Sequence, residues 1–336
     1  MQQRNQKLIH AIIEKANRDY PGALAIIGIY GSFLTGDVHE KSDLDLMILI
    51  NDDRGYNLAR TFILEDEEIG HDLYCTTWDA LESDAKFTHP HISKLMESRI
   101  VYCADDGFRM RLEALRQKAM TADTRHAAEE TFVNAQRFYA NAMLAEEISD
   151  IRFHAGAVIH YVKDAVALLN HRYFKLGTRR VFEEIEAMEC RPKNLRGLVD
   201  AVVCAANAED LKTALTCLLK SVKPLFEAPK PSAEIFPGTY EEMFSNWRNK
   251  MYLAAQTGNT YLAFDSMGGL NQMLADLGFS MDVLSRFDPN DLAASAKAYD
   301  AILAEYRKEY DKAGIAVESY PDVDAFIKEY SKKETA

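Results

Sequence analysis

The first hundred positions combine apolar residues at helical spacing with short, nearly continuous apolar runs. Residues 2–19 carry their apolar side chains on one face, which predicts an amphipathic helix. A second helix is expected from Trp78 to about residue 85. Short apolar runs predict strands at residues 23–30, 44–50, 69–77 and 98–103.

The pattern changes after residue 105, where strand-like runs nearly disappear and helical spacing dominates. Helices are predicted at roughly 108–120, 126–147, 154–170, 178–188, 195–206, 209–226, 240–256, 260–277, 289–313 and 321–332. The stretch 227–238 contains three prolines and a glycine, which is typical of a long connection. The sequence therefore predicts an α+β protein, with a small mixed-sheet domain over 1–105 and an all-helical domain over 106–336. A further subdivision near 227–238 is a candidate.

Composition excludes some classes of protein. Lys and Arg number 39 against 52 Asp and Glu, and the net charge of −13 disfavours binding to a nucleic-acid backbone. The five cysteines contain no CxxC pair, so neither a disulfide framework nor a cysteine-based zinc cluster is expected. No apolar run approaches about 18 residues, and the polar N-terminus has no apolar signal core. We therefore expect a cytoplasmic protein without a membrane span.

Two aspartates open the second predicted strand. Asp43 and Asp45 flank Leu44, so both side chains project to the same face at the start of the strand. Two carboxylates at this spacing can ligate divalent ions together, and oxygen ligands suit Mg²⁺. The spacing makes Asp43 and Asp45 candidate metal ligands and catalytic residues.

A Gly-Ser turn ends the first predicted strand. Gly31 lacks a β-carbon and lets the backbone approach a phosphate, while Ser32 offers a hydroxyl and an N–H at the start of a short helix. A third acid is expected on a neighbouring strand, and Asp72 would complete the ligand set and help to deprotonate an acceptor hydroxyl. Together these residues predict metal-assisted phosphoryl or nucleotidyl transfer.

The combination of Gly31-Ser32, Asp43-Leu44-Asp45 and Asp72 resembles the signature of the nucleotidyltransferase (polymerase β) superfamily. The match covers roughly residues 20–105, and the following helical part resembles antibiotic nucleotidyltransferases such as kanamycin nucleotidyltransferase. The resemblance implies a mixed sheet with helices on one side, an NTP substrate, two Mg²⁺ ions and transfer of NMP, usually AMP, to a hydroxyl. It also implies that Asp43, Asp45 and Asp72 are metal ligands and that Gly31 and Ser32 contact the triphosphate. A homodimer with a shared site stays open.

The resemblance further implies a catalytic glutamate, the general base, early in the helical domain. Glu129 and Glu130 are the candidates, and Asp72 is the alternative base. A solvated first helical turn, where acidic side chains interact favourably with the helix dipole, is the competing interpretation of the two glutamates. Likewise, we interpret His89-Pro90-His91 as a loop rather than a metal site. On the helix near 154–170, Arg152, His160 and Lys163 share one side, which we interpret as solvated, with a cleft that neutralises phosphate as the alternative.

The leading hypothesis is a small-molecule nucleotidyltransferase that uses Mg²⁺ and ATP or another NTP. Its acceptor would be a hydroxyl of an antibiotic or a metabolite, and an acidic protein favours a cationic acceptor such as an aminoglycoside. A nucleic-acid-directed nucleotidyltransferase is the first alternative, which the net charge disfavours. A non-catalytic, antitoxin-like transferase module is the second, which the presence of all three candidate acids disfavours.

Overall fold

The computed structural model describes residues 3–40, 42–227 and 232–331. Contacts within the chain define two compact units, residues 1–227 and 228–336. The N-terminal part of the first unit contains α1 (Gln3–Asp19), β1 (Leu24–Ile29), α2 (Ser32–Thr35), β2 (Leu46–Ile50), β3 (Arg60–Leu64), β4 (Ile69–Leu73), β5 (Cys75–Thr77), α3 (Trp78–Asp84), α4 (Ser93–Glu97) and β6 (Arg99–Cys103). A 3₁₀ helix at Asp53–Leu58 lies between β2 and β3.

Four of these strands form a mixed sheet in the order β5-β2-β1-β6. Strand β1 is antiparallel to both β2 and β6, and β2 is parallel to β5. Strands β3 and β4 pair with each other in a separate antiparallel hairpin. The small mixed sheet predicted for the N-terminal part is confirmed, although the predicted strand at 69–77 is divided into β4 and β5, and β3 is not predicted at all.

Helices cover both faces of this sheet. Along β2, residues 46, 48 and 50 pack in one core with α1, whereas Met47 and Leu49 pack in a second core with α3, α4 and α5. A strand that is buried on both faces has no polar side to alternate with, which explains the continuous apolar runs of β1 and β2. The resemblance implies helices on one side of the sheet. In the structure, α1 also covers the other side.

The rest of the first unit is helical. It contains α5 (Asp106–Met120), α6 (Arg125–Leu144), α7 (Ile148–Leu169), α8 (Gly177–Glu186), α9 (Leu195–Cys204), α10 (Ala208–Val222) and a 3₁₀ turn at Lys223–Leu225. Side chains of α5, α6 and α7, among them Leu112 and Leu168, share a core with β1 and β2. Because of this packing, residue 105 lies inside the first unit. The two units meet in sequence between 227 and 228, and residues 228–231 of the proline-containing stretch lie outside the described residues.

The second unit is all helical. It contains α11 (Thr239–Met243), a π-helical turn at Phe244–Arg248, α12 (Asn249–Thr257), α13 (Thr260–Asp276), a 3₁₀ turn at Leu284–Arg286, α14 (Leu292–Lys312) and α15 (Val323–Tyr330). Three fully buried tyrosines of α14 anchor its core, and each hydroxyl has a hydrogen-bond partner. Tyr299 donates to a main-chain carbonyl at 2.8 Å, Tyr306 lies 2.6 Å from the Thr239 hydroxyl, and Tyr310 accepts from the Gly238 N–H at 2.7 Å. These partners offset the desolvation of the hydroxyl groups.

Throughout the described ranges, we find no helix that combines the length and the apolar character needed to cross a bilayer.

We predict that truncating Leu168 destabilises the sheet as well as α7. Leu168 is fully buried in the core that α7 shares with β1 and β2. Leu168→Ala should lower the free energy of unfolding of the first unit by about 2–5 kcal/mol, because transfer energy is lost and a cavity is left. Trp78 lies in this core and Trp247 belongs to the second unit, so Trp78 fluorescence in a Trp247→Phe background follows the first unit alone during urea unfolding.

Leu144→Ala is the matched control. Leu144 is the last residue of α6 and is 82% exposed, so its truncation should change the free energy of unfolding by less than about 0.5 kcal/mol. If the Trp78 transition of Leu168→Ala coincides with that of the parent protein, the helices and the sheet are not one cooperative unit.

Candidate functional site

The end of β1 and the start of β2 lie side by side because the two strands are antiparallel. Ile29 pairs with Leu46, and the Tyr30 N–H donates to the Asp45 carbonyl oxygen at 3.2 Å. The turn that follows β1 therefore meets the segment that precedes β2 at one edge of the sheet. Two parts of the chain that are separate in sequence form one site through this pairing.

Gly31 is in direct contact with Asp45. Its φ of 70° and ψ of −146° lie in a region that favours glycine, and a β-carbon would lie 2.1 Å from Oδ2 of Asp45. The Ser32 backbone N–H donates a hydrogen bond to the Asp45 carboxylate. Gly36, with φ 76°, ends the four-residue helix α2. The turn thus holds the carboxylate of Asp45 by its backbone.

Asp43 and Asp45 concentrate negative charge at this edge of the sheet. Leu44 and Leu46 are buried, and Asp43 and Asp45 alternate with them as partly exposed positions. Burial and the nearby charge of Asp43 raise the pKa of Asp45, although the hydrogen bond from Ser32 opposes this effect. No lysine, arginine or histidine of the described residues forms an ion pair with either aspartate.

Tyr30 lies close to the same charges. Burial raises the pKa of its hydroxyl to about 12, and the carboxylates of Asp45, Asp43 and Asp72 add to this effect. All three candidate acids therefore surround one tyrosine, with Asp45 exerting the largest effect of the three.

Asp72 does not occupy the position that the sequence predicts. The strand next to β2 is β5, whereas Asp72 is an exposed residue of β4. Its carboxylate accepts a hydrogen bond from the Thr61 hydroxyl at 2.9 Å, across the β3–β4 hairpin. Asp43 and Asp72 line one cavity of about 580 Å³, but the three acids do not form a group whose ligand oxygens all lie within 4.8 Å of one another. The third acid therefore lies on β4, which pairs with β3 and directly precedes β5, rather than on the strand that pairs with β2.

A separate cavity of about 350 Å³ opens beside the turn. Tyr30, Gly31, Ser32 and Asp45 line it from the sheet side. Its volume is within the range of small-molecule sites, about 300–1,000 Å³. The helical side contributes residues from α7, from the loop after it and from the start of α8, among them Lys163, Phe174, Lys175 and Thr178.

Two lysines bring positive charge to this cavity. Lys175 forms an ion pair with Glu97 at 2.7 Å, and this contact raises the pKa of Lys175. Lys163 on α7 makes no ion pair within the part of the chain that the structure describes. Lys163 thus lines a cleft, the alternative to a plain solvated face that the sequence leaves open, and its charge is available to an anionic ligand.

An ion-pair cluster joins the sheet side of the cavity to α8. Asp37, just after α2, is bound by Arg179 at 2.5 Å and by Arg180 at 3.1 Å. The Thr35 hydroxyl and these two guanidinium groups lower the pKa of Asp37. These contacts fix α8 against the segment that follows the Gly-Ser turn.

Neither glutamate candidate reaches this site. Glu129 pairs with Arg125 at 2.6 Å and Glu130 with His126 at 3.4 Å, four residues apart in each case along α6. Neither residue lines the two cavities described above. Their contacts are those of a solvated helical turn, the competing interpretation offered from the sequence.

Sequence reasoning overlooked Asp37 and Lys175 and interpreted His91 only as part of a loop, although all three line the cavity. These residues lie in loops, or beside them, far from each other in sequence. No spacing or periodicity links them to the Gly-Ser turn, since only the packing of α7 and α8 on the sheet brings them there. Only their residue types, two charged groups and an imidazole, could have marked them in the sequence as candidate site residues.

Part of the chain is similar to a known family of proteins. Residues 9–102 match the family model described as a nucleotidyltransferase domain. No curated protein sequence matches the chain. Among solved structures, a nucleotidyltransferase-like protein from Exiguobacterium sibiricum 255-15 is 11% identical, with 82% of this chain and 89% of that chain covered and a TM-score of 0.38.

The family model covers β1, the Gly-Ser turn, both paired aspartates and β4, and it ends within β6. The assignment therefore rests on the part of the chain that builds the sheet and the acidic edge. The match identifies residues 9–102 as a nucleotidyltransferase domain, which supports nucleotide transfer by this part of the chain.

Proposed function

We propose that this protein transfers a nucleoside monophosphate, most simply AMP from ATP, to a hydroxyl group of a small-molecule acceptor with the help of Mg²⁺. The acceptor oxygen bonds to the α-phosphorus, the bond from the α-phosphorus to the bridging oxygen breaks, and pyrophosphate leaves. The observation that carries the proposal is the contact between the Gly31-Ser32 turn and the Asp45 carboxylate. This contact lies on a cavity of suitable size for a small ligand, inside a nucleotidyltransferase domain.

Asp43 and Asp45 fit a divalent cation. Burial and the nearby charge of Asp43 raise the pKa of Asp45, and no cationic side chain among the described residues forms an ion pair with either aspartate. Carboxylate oxygens are the ligands that Mg²⁺ prefers. In our proposal the two aspartates hold Mg²⁺, which supplies charge neutralisation at the phosphates and activation of the attacking hydroxyl.

The protein's own residues would bind the nucleotide in the 350 Å³ cavity. Gly31 leaves room for a phosphate near the backbone, and the Ser32 hydroxyl offers a hydrogen bond to it. Lys163 lies on the opposite wall, where its uncompensated charge suits the triphosphate. The nucleotide would thus contact both the sheet and α7.

We place the acceptor in the second cavity, of about 580 Å³. Asp43, Glu65 and Asp72 line it, and no lysine or arginine does so among the described residues. Negative cavities concentrate cations, which supports a cationic acceptor such as an aminoglycoside. Asp72 is exposed there, held by Thr61, and would take the proton of the acceptor hydroxyl as the general base.

We predict that Asp43 and Asp45 are each essential for transfer but not for folding. Asp43→Asn and Asp45→Asn keep the side-chain shape and remove a metal-binding charge, so kcat/KM should fall at least about a hundredfold. Asp45→Asn should also be as stable as the parent protein or more so. Its raised pKa means that the folded state binds the proton more tightly than the unfolded chain, so the ionised carboxylate lowers stability at neutral pH.

The assay uses ATP labelled at the α-phosphate, Mg²⁺ and a panel of aminoglycosides, lincosamides and RNA, and urea unfolding without metal gives the stability. Asp66→Asn, in the exposed turn between β3 and β4, is the matched control and should retain activity. Full activity of both site variants would contradict the metal-site assignment. Label transferred to RNA alone would contradict the small-molecule acceptor.

We predict that Lys163 contributes to nucleotide binding. Lys163→Gln should raise the KM for ATP about tenfold, because a hydrogen bond to a charged phosphate is lost. Lys175→Gln should have a smaller effect, since the charge of Lys175 is already paired with Glu97. Steady-state kinetics and calorimetric ATP titration test this difference. A larger effect at Lys175 than at Lys163 would reject the role given to Lys163.

A further inference from the structure

Three side chains with metal-binding chemistry meet at one edge of the 350 Å³ cavity. His91 lies in the loop before α4, and it also lines the cavity. His160 and Asp164 are four residues apart on α7, so they share one face of the helix. One nitrogen or oxygen from each of the three lies within 4.8 Å of the others, and no second such group exists within residues 3–40, 42–227 and 232–331.

The spacing of these atoms matches a coordination shell. Nε2 of His91 lies 2.9 Å from Oδ2 of Asp164, and Nε2 of His160 lies 3.4 Å from the same oxygen. For ligand distances of about 2.0–2.1 Å, neighbouring ligand atoms of a tetrahedral ion are roughly 3.3–3.4 Å apart. The two imidazole rings are stacked, parallel within 5° and with centroids 5.4 Å apart, so one ring must rotate before both Nε2 lone pairs point at one ion. Both rings are half exposed, which leaves room for that rotation.

Asp164 supplies the second observation. Its side chain is only 7% exposed, and Oδ1 is buried without any hydrogen-bond partner among the described atoms. A buried carboxylate of this kind is unfavourable unless a cation or additional donors compensate it. A divalent ion between Asp164 and the two imidazoles would provide that compensation.

The loop that carries His91 is fixed by contacts beyond the histidine itself. The Phe174 N–H donates to the Pro90 carbonyl oxygen at 3.0 Å, and the Phe174 ring lies 5.7 Å from the His91 ring. The His91 N–H donates to Nδ1 of His89 at 3.3 Å. These contacts hold the His91 ring against α7 in the arrangement that a metal site requires.

From this arrangement we infer that His91, His160 and Asp164 form a Zn²⁺ site that is separate from the paired aspartates. Two imidazoles and one carboxylate are a donor set that suits Zn²⁺ better than Mg²⁺. The two histidine side chains are 49% and 52% exposed, so the fourth coordination position is open to water or to an oxygen of a ligand in the cavity. The interpretation of His89-Pro90-His91 as a plain loop is thereby revised, since His91 gains its partners from α7.

The site is tested by calorimetric titration of the metal-free full-length protein with Zn²⁺ alone. We expect one saturable site, and titration with Co²⁺ should give visible d–d absorption without a thiolate charge-transfer band, which excludes binding to the cysteines. His91→Gln and His160→Gln should each weaken Zn²⁺ binding at least about tenfold. Both histidines are half exposed, and circular dichroism and urea unfolding of the metal-free variants check that the fold is retained.

His126→Gln is the matched control. His126 lies 3.4 Å from Glu130, four residues further along α6, the same distance and spacing as His160 and Asp164, but without a third ligand. This variant and Asp43→Asn should bind Zn²⁺ like the parent protein. Absence of saturable binding, or binding unchanged in both His91→Gln and His160→Gln, would overturn the inference and leave a hydrogen-bonded triad. None of these outcomes depends on transferase activity.

Discussion

A single main-chain hydrogen bond, from the Tyr30 N–H to the Asp45 carbonyl oxygen, fixes the geometry on which the candidate site depends. It extends the β1–β2 pairing by one step beyond Ile29 and Leu46 and sets Gly31 against the Asp45 carboxylate. Because a β-carbon would lie 2.1 Å from Oδ2, the carboxylate can occupy this place only beside a glycine. The position of the acidic edge is thus determined by backbone pairing in a core that is buried on both faces.

The two cavities at this edge of the sheet differ in the charge of their lining residues. The cavity shared by Asp43 and Asp72 is lined by carboxylates, whereas the cavity at Asp45 receives Lys163 and Lys175 from the helical part. Contacts of Asp37 with Arg179 and Arg180 fix α8 beside the turn. The candidate site is therefore a property of the whole first unit, residues 1–227, and the nucleotidyltransferase domain alone would lack one wall of the cavity.

Local patterns predicted most of the elements but not their partners. The long helices α5, α6, α13 and α14 lie within three residues of their predicted ranges, and α7 starts six residues earlier than predicted, because amphipathic periodicity is a local property. The Gly31-Ser32 turn and the Asp43-Leu44-Asp45 segment were also identifiable, since a strand alternates its faces whatever it pairs with.

Other features depend on tertiary pairing. Strand β3 has weakly patterned side chains and is not predicted, and the pairing of β3 with β4, which carries Asp72, has no local signal in the sequence. Likewise, no local signal connects His91 to His160 and Asp164, which lie about 70 residues away along the chain. Packing decides these contacts, and packing is not visible in short stretches of sequence.

The pairing of distant segments also has a consequence for synthesis on the ribosome. The sheet is completed by β6 pairing with β1, and its second face is covered in part by Leu168 at the end of α7. At about 5–20 residues per second, the roughly 140 residues between Ile29 and Leu168 take on the order of 7–28 seconds to translate. During that interval the two most apolar strands of the nascent chain are made but not yet enclosed, so the emerging N-terminal segment is the part of this protein with the greatest need for a chaperone.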